Sequence, residues 1–258
     1  MEYIFDSHAH YDDEAFDEDR FELIESLKEK GVCGVINCGC TPESTETALA
    51  LSEKFDFVYF ASGIHPENIP SPEEDETVFG KIKELAKHKK CVAIGEIGLD
   101  YHYEDGAPRE RQIEWFEKQL ILANELSLPV IVHDRDSHAD ILELLKKHRP
   151  KGVVHCFSGS LEMAQEVLKM GMYIGLGGAV TFKNAKKPVR IAEGIPLDRL
   201  LLETDCPYMA PVPFRGKRCD SSLIAFTAEK IAEIRGITTD EVLRAGKENA
   251  AALFGIEV

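Results

Sequence analysis

The chain has 258 residues, 44% of them hydrophobic, with a formal net charge of −16 at pH 7. That length suits one large α/β domain over residues 1–258, and no apolar run approaches the roughly 18 residues of a transmembrane helix, so no membrane contact is expected. The charge excludes a protein that coats nucleic acid through a broad basic face, but not an enzyme that grips a phosphate through metal ions.

In chain order, the N-terminal MEYIFDSHAH lacks the basic and long apolar regions of a signal peptide, which predicts a cytoplasmic protein. It reads as a first strand over 3–8, with His8 and His10 at its end. Gly31 closes the helix that follows. A second strand is predicted over 32–38 and a third over 57–62, with His65 just beyond. The acidic, proline-rich stretch 68–76 reads as an exposed loop. The fourth strand, 91–97, ends on Glu96 within Gly95-Glu96-Ile97-Gly98. Apolar residues Ile113, Phe116, Leu120 and Ala123 recur every three or four positions and predict a helix over 109–126. The fifth strand, 129–133, ends at His133 and the sixth, 152–155, at His155. A helix over 161–170 stops at Gly171, and a seventh strand covers 172–176. The eighth, 199–205, ends at Asp205, and Thr238 with Glu241 has capping-box spacing before the last helix. His88, His138 and His148 fall in helical segments and carry no site.

Eight near-continuous apolar strands alternating with helices predict a TIM-type (β/α)8 barrel, with a doubly wound open sheet as the alternative. In such a barrel the strand C-termini converge on one face, where the active site is built. His8, His10, Glu96, His133, His155 and Asp205 would meet there as metal ligands. Residues i and i+2 of a strand point the same way, so His8 and His10 can address one ion. Glu96 can give one oxygen to each of two ions about 3.5–4 Å apart. The seven cysteines read differently. Cys33, Cys91 and Cys156 lie in strand-like runs, and the odd total predicts thiols in a reducing compartment. Cys38 and Cys40 have no second pair with which to form a zinc knuckle.

The motifs resemble the TatD family of metal-dependent deoxyribonucleases, among the amidohydrolase-type barrels. They are Asp6-Ser7-His8-Ala9-His10, Gly63-Ile64-His65-Pro66, Gly95 to Tyr101, Arg111-Gln112, Leu128 to Asp136, His155 to Ser160, Leu202 to Tyr208, and Glu248 to Gly255. One stretch departs from the family: after the last strand, Gly216-Lys217-Arg218 is followed by Cys219-Asp220-Ser221, where an Asn and a Pro are usual. The resemblance implies two divalent ions per subunit (Mg, Mn or Zn), one on His8, His10, Glu96 and Asp205 and the other on Glu96, His133 and His155. It implies a water activated between them, with Asp205 and Glu96 as the catalytic carboxylates and Asp205 as proton acceptor. His65, Arg135, Arg215, Lys217 and Arg218 would bind substrate phosphate, and Tyr101, His102, Tyr103 and Phe182 could stack on bases. Phosphodiester hydrolysis in DNA follows, at the 3′ end of a single strand, without an obligatory protein partner. The competing readings are hydrolysis of a carboxylic ester or amide, such as an aminoacyl ester, and a barrel that keeps metal only as structure. The fourth strand offers Glu96 and no lysine to bridge metals as a carbamate, and no acid follows His155 until Glu162, as a deaminase would need.

Overall fold

The computed structural model describes residues 3–257; residues 1, 2 and 258, which the single-domain reading and the N-terminal signal reading include, lie outside the described residues. The strands are β1 (Ile4–Ala9), β2 (Val32–Cys38), β3 (Val58–Ser62), β4 (Cys91–Asp100), β5 (Val130–Arg135), β6 (Gly152–Val154), β7 (Tyr173–Leu176) and β8 (Leu200–Leu202). They form one sheet in sequence order, every neighbouring pair parallel. The sheet is a nearly closed TIM-type barrel, and the open-sheet alternative falls away. Its last seam differs from the others: β8 meets β1 through one isolated bridge, Ala9 to Cys206, reinforced by His10 N–H donating to the Cys206 carbonyl at 2.9 Å and Asp205 N–H to the His8 carbonyl at 3.0 Å.

Around the barrel run α1 (Arg20–Leu27), α2 (Pro42–Lys54), α3 (Asp75–Leu85), α4 (Arg109–Leu126), α5 (His138–His148), α6 (Leu161–Lys169), α7 (Lys186–Gly194), α8 (Ile224–Arg235) and α9 (Thr239–Phe254). Helix α4 has the predicted bounds, and the Thr238–Glu241 capping box forms with both reciprocal bonds. One buried cluster draws on all eight strands, with Phe5, Ile36, Ala61, Ala93, Ile131, Val153, Tyr173 and Leu201, and Ala250 and Phe254 of α9 pack against it. Residues from every strand can meet only along the barrel axis, so this cluster fills the lumen, while a larger one lies under the helices.

Several expected boundaries shift. The fourth strand runs past Glu96 to Asp100 and the fifth past His133 to Arg135, because Gly98, Leu99 and Asp100 pair with His133, Asp134 and Arg135. Gly98 sits at φ +149°, and a Cβ there would lie 2.0 Å from the His133 carbonyl oxygen, so only glycine lets the two strands come this close. The eighth strand stops at Leu202, three residues before Asp205, where the ladder to Leu176 ends. Cys156 and His155 lie just after β6, not within it. The predicted loop 68–76 gives way to helix at Asp75, His88 sits in the turn after α3, and Gly31 comes three residues after the C-cap Lys28 of α1. No disulfide joins the cysteines.

Candidate metal centre

Five strand ends deliver the central groups, and the end of β3 adds His65, to one cavity of about 530 Å³, whose walls include His10, His65, Glu96, Asp100, His133, Arg135, His155 and Asp205. Glu96 stands in the middle and divides its carboxylate. Oε2 lies 3.2 Å from His8 Nε2 and 3.3 Å from His10 Nε2, and Asp205 Oδ1 lies 3.6 Å from each of those nitrogens. Oε1 lies 2.7 Å from His155 Nε2, 2.8 Å from His133 Nδ1 and 3.5 Å from His65 Nε2. The six predicted ligands therefore come together, in two sets that share one carboxylate.

The donor chemistry fits cations. His8 Nε2 and His10 Nε2 face each other at 2.9 Å. His10 Nδ1 is 3.0 Å from the Cys38 carbonyl, which can only accept, so Nδ1 keeps a proton and Nε2 is the nitrogen left for an ion. His133 is fixed in the opposite sense: Nε2 is bonded to Asp100 Oδ2 at 2.9 Å, which leaves Nδ1 for the centre. Burial, helped by the neighbouring His155, pushes His8 down to about 4 and keeps it neutral, as a ligand must be. Burial opposes ionisation of Glu96, yet the surrounding imidazoles, His155 foremost, hold its carboxyl well below the usual range. Asp205 is held down in the same way, against burial, by the imidazoles of His10, His8 and His155 around it. His133 rises to about 10 despite burial, through its bonds to Asp100 and Glu96. Ionised carboxylates concentrated among imidazole nitrogens make a charge that bound cations would balance.

His65 joins Glu96 and His133 as a third possible ligand group, besides the sets around His8. Its Nδ1 accepts the Glu67 N–H at 3.2 Å, however, so Nε2 carries the proton and is a donor. That suits an anion contact better than a metal bond. Burial pushes His65 down to about 3, so it donates as a neutral imidazole.

The expected substrate residues divide. Arg135 lines the metal cavity, with its guanidinium 5.0 Å from the Tyr103 ring centroid and 3.2 Å from the Tyr103 hydroxyl. Arg215, Lys217 and Arg218 line a neighbouring cavity instead, which shares Asp13, Tyr208 and Met209 with the first. Arg215 lies over Phe182 at 4.4 Å. Arg218 is already engaged, with two bonds to Asp19 at 2.8 and 2.6 Å and one to the Ala15 carbonyl at 2.8 Å. Tyr101 packs against the barrel with its hydroxyl on Asp140, whereas His102 is exposed, with Nδ1 3.0 Å from Asp136 Oδ2. The altered loop is anchored from within: Cys219 is buried, Asp220 caps the following turn, and Ser221 Oγ donates to Asp6 Oδ2 at 2.7 Å.

Two residues of the quoted motifs have roles that spacing did not reveal. Asp100 is the partner of His133, and Gln112 holds it in place by bonding both its N–H and its carbonyl at 2.8 Å. Glu203 is fully buried beside the centre, accepts the Cys156 N–H through Oε1, and is pushed up by burial to about 8.

The TatD related DNase family matches residues 5–255. The chain belongs to the TatD family. TatD relatives include the uncharacterized metal-dependent hydrolase YabD of Bacillus subtilis, 44% identical over 98% of this chain and 99% of that protein. The 3′-5′ ssDNA/RNA exonuclease TatD of Cronobacter sakazakii is 34% identical over 97% of each chain. The crystal structure of YjjV, a TatD homolog from Escherichia coli, superposes with a TM-score of 0.90 at 33% identity and 99% coverage of both chains. This TatD protein is a metal-dependent hydrolase, and among its described residues no helix is long and apolar enough to cross a membrane.

Proposed function

We propose that this protein hydrolyses phosphodiester bonds in DNA, from the 3′ end of a single strand, with two divalent ions. The observation that carries the reading is the divided carboxylate of Glu96, one oxygen in each of two histidine sets only a few ångströms apart. His8, His10, Asp205 and Glu96 Oε2 would hold one ion, and Glu96 Oε1, His133 and His155 the other. The imidazoles suit Zn, and the carboxylates suit Mg or Mn. Bound ions supply Lewis acidity, which lowers the pKa of water and offsets charge on the phosphoryl group.

The protein's own groups do the rest. Asp205 keeps an ionised carboxylate with its side chain 22% exposed, able to take a proton from an attacking water. His65 Nε2–H and the Arg135 guanidinium offer donors to phosphate oxygens at the cavity mouth, and Tyr103, with 47% of its surface exposed, offers a face to a base. A cavity of 530 Å³ admits a chain end but not a duplex, and the net charge of −16 opposes wide contact with a polyanion. The name of the Cronobacter sakazakii relative supports the same polarity and extends the substrate class to RNA.

The test is digestion of single-stranded oligonucleotides labelled at either end, with Mg, Mn or Zn added to chelator-treated protein, beside a chromogenic acyl ester. A ladder shortening from the 3′ end is expected. Metal-dependent cleavage of the acyl ester without cleavage of any phosphodiester would assign the enzyme to the other hydrolase class.

A further inference from the structure

His155 is the odd member of the ligand set. His10 and His133 each have their outer nitrogen on an oxygen acceptor, and His8 Nδ1 has Cys38 Sγ at 3.4 Å. His155 Nδ1 is buried with no hydrogen-bond partner. Among the described residues only two other buried side-chain polar atoms lack a partner, and one of them, Glu203 Oε2, belongs to the same corner of the barrel. The other oxygen of Glu203 accepts the N–H of Cys156, the peptide that immediately follows His155. His155 and Glu203 act on each other electrostatically, and both are almost completely buried.

The space for this carboxyl is built into β7. A Cβ at Gly175 would lie 2.4 Å from Glu203 Oε2 and 2.9 Å from Cδ, so no larger residue fits there while Glu203 holds its position. A buried acid with one unmet oxygen is costly unless it has something to hold. A ligating imidazole needs an acceptor for its second N–H, and a carboxylate in that role fixes the tautomer and makes the ring a better donor.

We infer that Glu203 is the positioning residue of His155: its free oxygen receives the His155 Nδ1–H when Nε2 binds an ion, as Asp100 serves His133. The inference rests on the reading of this cavity as a two-ion centre. It assigns Glu203 a place behind one ligand, without contact with substrate or ion.

Glu203→Gln isolates the role. The amide oxygen can still accept the Cys156 N–H, but the amide nitrogen then faces the His155 N–H, donor against donor. The measurement is zinc binding by calorimetry with chelator competition, on wild type and variant, with the melting temperature of each metal-free protein. Wild type is expected to bind two ions. In the variant one of the two constants should weaken by about 10- to 100-fold, the usual scale for an outer partner of a ligating histidine. The other constant and the metal-free melting temperature should not fall. Two constants unchanged in a folded variant would overturn the assignment of Glu203 while leaving the two-ion centre standing; a wild type that binds no ion would overturn both. A second readout needs no variant. In zinc-loaded wild type, the His155 Nδ1 proton should resonate far downfield and exchange slowly with water, and a rapidly exchanging proton would refute the bond to Glu203.

Discussion

Replacing Asp205 by Asn tests the chemistry with little disturbance to the fold. Asp205 sits in left-handed backbone, φ +60°, where Asn is tolerated far better than other non-glycine residues. Its N–H is fixed to the His8 carbonyl at 3.0 Å, a bond that the substitution leaves alone. The amide oxygen can occupy the place of Oδ1, 3.6 Å from both His8 Nε2 and His10 Nε2, and still serve as a donor to a cation. What is lost is the ability to accept a proton. Loss of a general base costs at least about 10²-fold in kcat, equivalent to roughly 2.7 kcal/mol of activation free energy. If Asp205 only fixed the loop after β8, the variant would melt lower and keep its rate per folded molecule; for a chain of this size each kcal/mol is worth about 2–4 °C. The assay is kcat on a single-stranded oligonucleotide, with melting temperature and bound metal measured on the same preparation. Near wild-type kcat in a folded, metal-loaded Asp205→Asn protein would refute the role.

Glu96→Gln should differ from Asp205→Asn by lowering metal content as well as rate, since it weakens a donor common to both histidine sets; unchanged metal stoichiometry by elemental analysis would argue against a shared bridge. Arg215→Ala and Lys217→Ala should raise KM and flatten the salt dependence of cleavage, whereas Arg218→Ala, which breaks the Asp19 pair, should leave both nearly unchanged, and equal effects at all three positions would contradict the engaged state of Arg218. Asp75 receives two bonds from Arg111 at 2.9 and 2.6 Å and one from Trp115 at 3.0 Å, and Arg111 first, then Trp115, hold its carboxyl below the usual value of 3.8. A depressed carboxyl stabilises the fold above 3.8 and loses that contribution as the pH falls through its lowered value. Urea unfolding of wild type and Asp75→Asn should therefore differ at pH 7 and converge near pH 2, and a gap that persists in acid would refute the linkage. Thr238→Ala removes the cap of α9 and should cost about 1 kcal/mol, read as a lower melting temperature with kcat intact.

The barrel and the gathering of its histidines and carboxylates were legible because parallel strands advertise themselves as apolar runs and those side chains sit where the runs end. His8 and His10 were placed by the alternation of a strand alone. The ends of the runs were harder to read: Gly98 interrupts the fourth run and His133 the fifth, yet the ladder continues, since the pairing of Gly98 to Asp100 with His133 to Arg135 is made by the backbone. Leu202 to Asp205 failed in the opposite sense: the ladder with β7 ends at Leu202, and beyond it single backbone bonds, from Glu203 to the Leu176 carbonyl and from Asp205 to the His8 carbonyl, carry the chain on without a strand. Roles that depend on a second contact left no periodic trace. Asp100 looked like one more acid after a glycine, and only its bond to His133 and its grip by Gln112 give it a function. Arg218 looked as available as Arg215, because Asp19, its partner, lies 199 positions away in the sequence.

The seam between β8 and β1 has a consequence for how the molecule comes apart. Seven strand junctions carry paired ladders, three of them with register shifts, but the eighth has one isolated bridge, with a few backbone bonds around His8, His10, Asp205 and Cys206 and the side-chain bonds of Asp6 to Thr204 and Ser7 to Leu202. Asp205 and the two histidines proposed as ion ligands hang from the same peptides that lock the ring. An ion bound by His8 and Asp205, as proposed, would also act as a clasp across the first and last strands, and stripping it should unlatch this junction before any other. Amide exchange at His10 and Asp205 would report occupancy of the centre, and the barrel would open along the line where it works.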